Sequence, residues 1–92
     1  MKITIYSDPG HAWAKISFKK LEQLGIRDKI SQYSYERNNY AYIEEDCDLS
    51  VLIECLQEKN IHFSFKEYHT DKYSKIRGYN RYYNPRYVSL FT

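Results

Sequence analysis

Gln32-Tyr33-Ser34-Tyr35-Glu36-Arg37-Asn38-Asn39-Tyr40-Ala41-Tyr42-Ile43 reads as a hairpin, two alternating arms around a turn. Asn tolerates the left-handed backbone region, so Asn38-Asn39 suits a tight reversal. A loop of two or four residues puts Tyr33, Tyr35, Tyr40 and Tyr42 on one face, leaving Ser34, Ala41 and Ile43 on the other. A bulged loop of odd length would split the tyrosines between faces. The expected register is the unsplit one, with Ala41 and Ile43 inward and the tyrosines on the open face.

Upstream, Phe18, Leu21 and Leu24 fall at helical spacing between Ile16 and Leu24, with Ser17 as N-cap and Gly25 where a left-handed C-terminal residue belongs. Ile3 and Ile5 alternate with Lys2, Thr4 and Tyr6 as a half-buried strand, which Asp8-Pro9-Gly10 ends. Downstream, the acidic run Glu44-Glu45-Asp46-Cys47-Asp48 leads into a second helix. Asp48 is its expected N-cap, Leu49, Leu52, Ile53 and Leu56 its buried stripe, and Asn60 its stop. Ile61, Phe63 and Phe65 alternate with His62, Ser64 and Lys66 as a last strand.

The order is β-α-β-β-α-β. Right-handed crossovers interleave such units into an α+β, ferredoxin-like domain, a four-stranded antiparallel sheet with both helices on one face. Residues 1–68 form this domain, with Ile3, Ile5, Phe63 and Phe65 facing the core. Residues 69–92 are expected to be a basic, tyrosine-rich C-terminal extension.

Composition narrows the function. The chain has 92 residues, 14 Lys plus Arg against 12 Asp plus Glu, and 11 tyrosines. A net charge of +2 excludes both an acidic DNA mimic and a histone-like polycation. A mean hydropathy of −0.76 leaves no transmembrane helix. A chain this short buries about 60–65% of its unfolded surface, which favours a surface binding site over a deep catalytic pocket. Cys47 and Cys55 are too few for a disulfide scaffold, and no secretory signal precedes the first strand. A reducing cytoplasm with free thiols is expected.

The near-neutral total conceals two ends. Residues 69–92 hold Lys72, Lys75, Arg77, Arg81 and Arg86 against Asp71, a net +4, so the rest nets −2. Tyr73, Tyr79, Tyr82, Tyr83, Tyr87 and Phe91 are interleaved with those cations. Cations neutralise phosphates and aromatic rings stack on bases, a combination suited to single-stranded nucleic acid, a nucleotide or an acidic protein surface. Thr70, Ser74, Lys75 and Arg77 are placed to converge on an anion. Glu44, Glu45, Asp46 and Asp48 form an acidic patch, a second contact surface. Asp8, His11 and Trp13 on the Pro-Gly turn could orient a ligand, and Asp8 with His11 would be the acid–base pair of an enzyme.

No catalytic, metal or cofactor site is expected. Strand one ends beside the hairpin tip, whereas Cys47 and His69 follow strands three and four at the opposite end. His11 and Cys47 should therefore lie about 17–20 Å apart, the length of a strand. Cys55, beside Leu52 and Leu56, belongs to the core.

Four blocks together carry a resemblance: Tyr6-Ser7-Asp8-Pro9-Gly10-His11-x-Trp13, Leu24-Gly25-Ile26-x-Asp28-Lys29-Ile30-Ser31, Glu44-Glu45-Asp46-Cys47-Asp48 and His69-Thr70-x-Lys72-x-Ser74-x-Ile76-Arg77-x-Tyr79. Over roughly residues 1–79 the chain resembles a group of small uncharacterised proteins of phages, prophages and plasmids. The group lends no activity and no functional residue. The resemblance implies a mobile-element accessory protein, of the kind that counters host immunity by binding a defence complex or sequestering its nucleotide signal. The expectation is a non-enzymatic inhibitor of a host defence system, foremost a CRISPR–Cas effector. The alternative is a nucleotide or single-stranded nucleic-acid binding module using the tyrosine face, and a homodimer would cover exposed edge strands.

Overall fold

Asn38 and Asn39 both take positive φ, 50° and 68°, closing the tyrosine hairpin with the two-residue turn that left-handed asparagines allow. The turn sets the register: Arg37 pairs with Tyr40 and Tyr35 with Tyr42. Side chains of Tyr35, Tyr40 and Tyr42 therefore share one face and Ala41 and Ile43 the other, as the unsplit register requires. Tyr33 precedes the strand, in the turn at residues 32–34.

The computed structural model describes residues 1–84. Arg86, Tyr87 and Phe91 of the expected basic tail lie outside the described residues. Strands β1 (Lys2–Ser7) and β2 (Ala12–Ser17), helix α1 (Phe18–Leu24), strands β3 (Tyr35–Arg37) and β4 (Tyr40–Glu44), helix α2 (Leu49–Glu58), and strands β5 (Ser64–His69) and β6 (Asn80–Arg81) follow in chain order. They build a small α+β domain whose single mixed sheet has the order β5-β1-β2-β4-β3-β6.

This corrects the four-stranded antiparallel sheet. Taken alone, β2, β3, β4 and β5 keep the spatial order of the split β-α-β pattern, but β1 is inserted between β2 and β5. It pairs antiparallel with β2 and parallel with β5. The strand hidden from the sequence was β2. Ala12, Trp13, Ala14 and Ile16 are all buried, because a central strand is covered on both faces and shows no alternation.

One face of the sheet carries Ile3, Ile5, Ala14, Ile16, Ala41 and Ile43, packed against Leu21 and Leu24 of α1 and Leu52, Cys55 and Leu56 of α2. The capping of α1 follows its sequence: the Ser17 hydroxyl accepts from the Lys20 amide at 3.0 Å, and Gly25 sits at φ 74°. Asp48 precedes α2 as expected, but its side chain makes no cap bond. It accepts instead from the Ser31 amide and hydroxyl and from the Ser34 hydroxyl, at 3.1, 2.8 and 2.6 Å, tying the loop before β3 to the start of α2.

The last long strand runs Ser64–His69 rather than Ile61–Lys66, because it pairs only along β1. Ile61 and Phe63 pack against the core from outside the strand, while Phe65, expected inward, is 46% exposed on the sheet edge. Residues 70–84 do not hang free. The chain crosses the face opposite the helices, buries Ile76 against Trp13 and Tyr42, and pairs β6 with β3. Tyr82 then enters the helical core against Phe18, and the Asn84 side chain donates to the carbonyls of Asp28 and Ile30 at 2.8 Å each.

A chain ending at Tyr68 would uncover Trp13 and Tyr42 and lose buried Ile76 and Tyr82, several fully buried large side chains in a small core. It is expected to show no cooperative thermal transition by circular dichroism. A cooperative transition close to that of the full chain would contradict this packing.

Candidate polyanion-binding face and its adjoining cleft

Asp8-Pro9-Gly10-His11 forms the turn between β1 and β2. The Asp8 carboxylate is buried and accepts from five donors. Its Oδ1 takes the amides of Gly10 and His11 at 3.0 Å and Nη2 of Arg77 at 2.9 Å. Its Oδ2 takes the Ser74 amide at 2.9 Å and Nε of Arg77 at 2.7 Å. The Arg77 guanidinium, helped by the three amides and opposed by burial, holds Asp8 well below the usual carboxylate range.

Of the four residues expected to converge on an anion, Thr70, Ser74, Lys75 and Arg77, two do, Ser74 through its amide and Arg77 through its guanidinium, and the anion is the protein's own Asp8. Asp8 is thus not half of an acid–base pair with His11, whose imidazole turns to Glu44 instead. A Cβ at Gly10 would stand 2.9 Å from Nη2 of Arg77, so a side chain there would press on the guanidinium that holds Asp8.

The crossing segment leaves a layer of aromatic rings and cations. Arg77 lies over Trp13 and Tyr73, 5.5 and 4.9 Å from the ring centroids. Lys15 lies over Tyr40, Arg37 over Tyr79, Arg81 over Tyr35 and Lys66 over Tyr68, at 4.3, 4.9, 4.7 and 5.3 Å. Register places Lys15, Arg37, Lys66 and Arg81 on the face away from the helices. Among the described residues Arg77 alone of these cations has an ion-pair partner. Tyr42 and Tyr79 meet edge to face at 5.0 Å beneath the layer, so Tyr42 is buried rather than open, and burial raises its phenol's pKa. Tyr6 stacks on Tyr68 at 5.8 Å beside a groove that Lys72, Tyr73 and Lys75 also line.

At one end of this face a cleft of about 310 Å³ gathers His11, Trp13, Tyr33, Tyr35, Glu44, Asp46, Cys47, Arg77 and Arg81. Sequence reasoning separated His11 from Cys47 by a strand length. The structure brings them to one cleft, because β2 returns beside β4 and pairs Trp13 with Glu44. His11 Nδ1 lies 3.1 Å from Glu44 Oε1 and 4.0 Å from Asp46 Oδ2. The acidic patch is likewise divided. Glu44 and Asp48 are buried and hydrogen-bonded, while Glu45 and Asp46 face solvent. Desolvation, and a hydrogen bond to Glu44, push the Cys47 thiol up.

Lys72, Tyr73, Lys75, Arg77, Tyr79, Arg81, Tyr35, Tyr40, Tyr42 and Trp13 thus belong to one face or to the segment across it, while Asp8 lies beneath. Lys15, Arg37 and Lys66 were missed as members. Lys66 was visible as the outward neighbour of Phe65, but Arg37 adjoined the expected hairpin turn and Lys15 fell between the expected turn and helix. Comparison with family models, with curated proteins and with solved structures returns no match. No helix among the described residues is long and apolar enough to cross a membrane.

Removing the Asp8 carboxylate strands buried donors, each costing about 1–3 kcal/mol. Asp8→Asn should lower the melting midpoint at pH 7 by at least about 8 °C in a domain of this size. Because the folded pKa is depressed, Asp8 stabilises above its unfolded value of about 3.9 and less as pH falls below it. The gap between parent and variant should therefore narrow between about pH 4 and 2. A constant gap would show that ionisation of Asp8 is not the source.

Proposed function

We propose that the protein is a non-enzymatic binding protein that lays a single strand of nucleic acid across the sheet face opposite its helices. One observation carries this reading: Lys15, Arg37, Lys66 and Arg81 lie over tyrosine rings with no ion pair among the described residues. A cation resting on a ring keeps its charge available to phosphate, and loses less side-chain freedom on binding than one projecting into water. Tyr33, Tyr40, Tyr68 and Tyr73 are exposed and offer rings for stacking. Asp8, beneath the layer, and Glu44, at its end, are buried and already hydrogen-bonded, so neither opposes an anion in the open.

The resemblance to mobile-element accessory proteins supplies the context. In that setting the binding would act in the host cytoplasm to inhibit a defence complex that works on nucleic acid, a CRISPR–Cas effector being the first to test. An acidic surface on such a complex would engage the same cations.

Fluorescence anisotropy with labelled single strands and with duplex of the same sequence tests the reading. Single strands should bind more tightly, with an affinity that falls as salt rises, at a log–log slope of about −0.7 per neutralised phosphate. Arg37→Glu combined with Arg81→Glu should weaken binding at least about tenfold with little change in melting midpoint. Arg77 is left intact because its loss would strand Asp8. No binding of any strand at low salt, or binding indifferent to the double variant, would overturn the proposal.

A further inference from the structure

At the acidic end of the cleft, one imidazole and two carboxylates meet with donor atoms all within 4.8 Å of one another. We infer that His11, Glu44 and Asp46 bind a divalent transition-metal ion of the zinc class, with one coordination position open to an oxygen ligand in the cleft. The separations suit such an ion. Bonds of about 2.0–2.2 Å at tetrahedral angles put ligand atoms about 3.3–3.6 Å apart, between the 3.1 and 4.0 Å found from His11 Nδ1 to the two carboxylates.

Two of the three ligands are already held. The His11 amide is fixed on Asp8, and the Glu44 amide donates to Ser34 Oγ at 2.9 Å. Glu44 Oε2 accepts from the Cys47 amide at 2.8 Å, which leaves Oε1 to face the imidazole. Asp46 is exposed, and a change of rotamer would close the remaining distance. Imidazole favours zinc-class ions, whereas magnesium and calcium prefer all-oxygen shells.

A second observation points to a ligand at the same place. Nε1 of Trp13 is the one buried side-chain polar atom with no hydrogen-bond partner among the described residues, and Trp13 lines this cleft. Buried donors are rarely left so. A water or phosphate oxygen on the ion's open position would offer that N–H an acceptor, and Arg81, which also lines the cleft, favours an anionic one.

Trp13 is the only tryptophan, and its ring centroid lies 6.1 Å from that of His11, so its fluorescence reports on the site. Titrating the full-length, metal-free protein with cobalt chloride, without nucleic acid, should give saturable one-to-one quenching. Zinc should displace cobalt, magnesium should not, and a chelator should restore the signal. His11→Ala and Asp46→Asn should each weaken the affinity at least about tenfold. The Asp46 side chain is 73% exposed, so an unchanged metal-free melting midpoint in that variant separates lost binding from lost folding. His69→Ala, which removes the other imidazole–carboxylate contact at 3.2 Å from Asp71, should leave the titration unchanged. No saturation by about 1 mM cobalt overturns the proposal. So does displacement by magnesium, undiminished affinity in the first two variants, or loss of binding in the third.

Discussion

The fold depends on one buried carboxylate. Asp8 closes its own turn through two amides and fastens a segment almost seventy residues away through Ser74 and Arg77. A carboxylate out of water must be matched by donors, and here the donors come from both ends of the described chain. That requirement brings the crossing segment over Trp13 and Tyr42, which would otherwise be an apolar sheet face open to solvent. The same bidentate pair fixes the Arg77 plane against Trp13 and Tyr73.

With Arg77 committed, the rest of the face divides its labour. Ile76, Tyr42 and Tyr79 fill the space beneath, and the remaining cations spread over the outer rings. Charge that looks balanced in the total is unbalanced in space, because Asp8, Glu44 and Asp48 are buried and satisfied while the cations opposite them are not. A net charge near zero thus coexists with a basic, aromatic surface, and with an acidic corner where β2 returns beside β4.

The parts that could be read from sequence are those governed by near neighbours. Asn38-Asn39 set the hairpin register through their tolerance of positive φ, and Ser17 and Gly25 bounded the first helix through backbone bonds within a turn. Of the stripe expected on the second, Leu52 and Leu56 are buried, with Cys55 beside them, while Leu49 and Ile53 are half-buried. The strand Ala12–Ser17 was not legible, since alternation disappears when both faces are covered. Phe65 misled in the opposite sense: its alternation was real, but it fell on an edge strand with little to pack against. Asp48 stood where a cap belongs and found better donors in Ser31 and Ser34, seventeen and fourteen residues away.

The candidate site shows the same boundary. The sequence alone determined that tyrosines and cations are interleaved, that the hairpin rings share one side, and that two helices cover the other, because these follow from turn geometry and periodicity. Only the tertiary structure decided that Arg77 binds Asp8, that Lys15, Arg37 and Lys66 join the face, and that His11 meets Glu44 and Asp46. Those contacts depend on which strand lies beside which. Inserting β1 between β2 and β5 changed the neighbours of those two strands, and pairing between distant segments leaves no local trace in either of them.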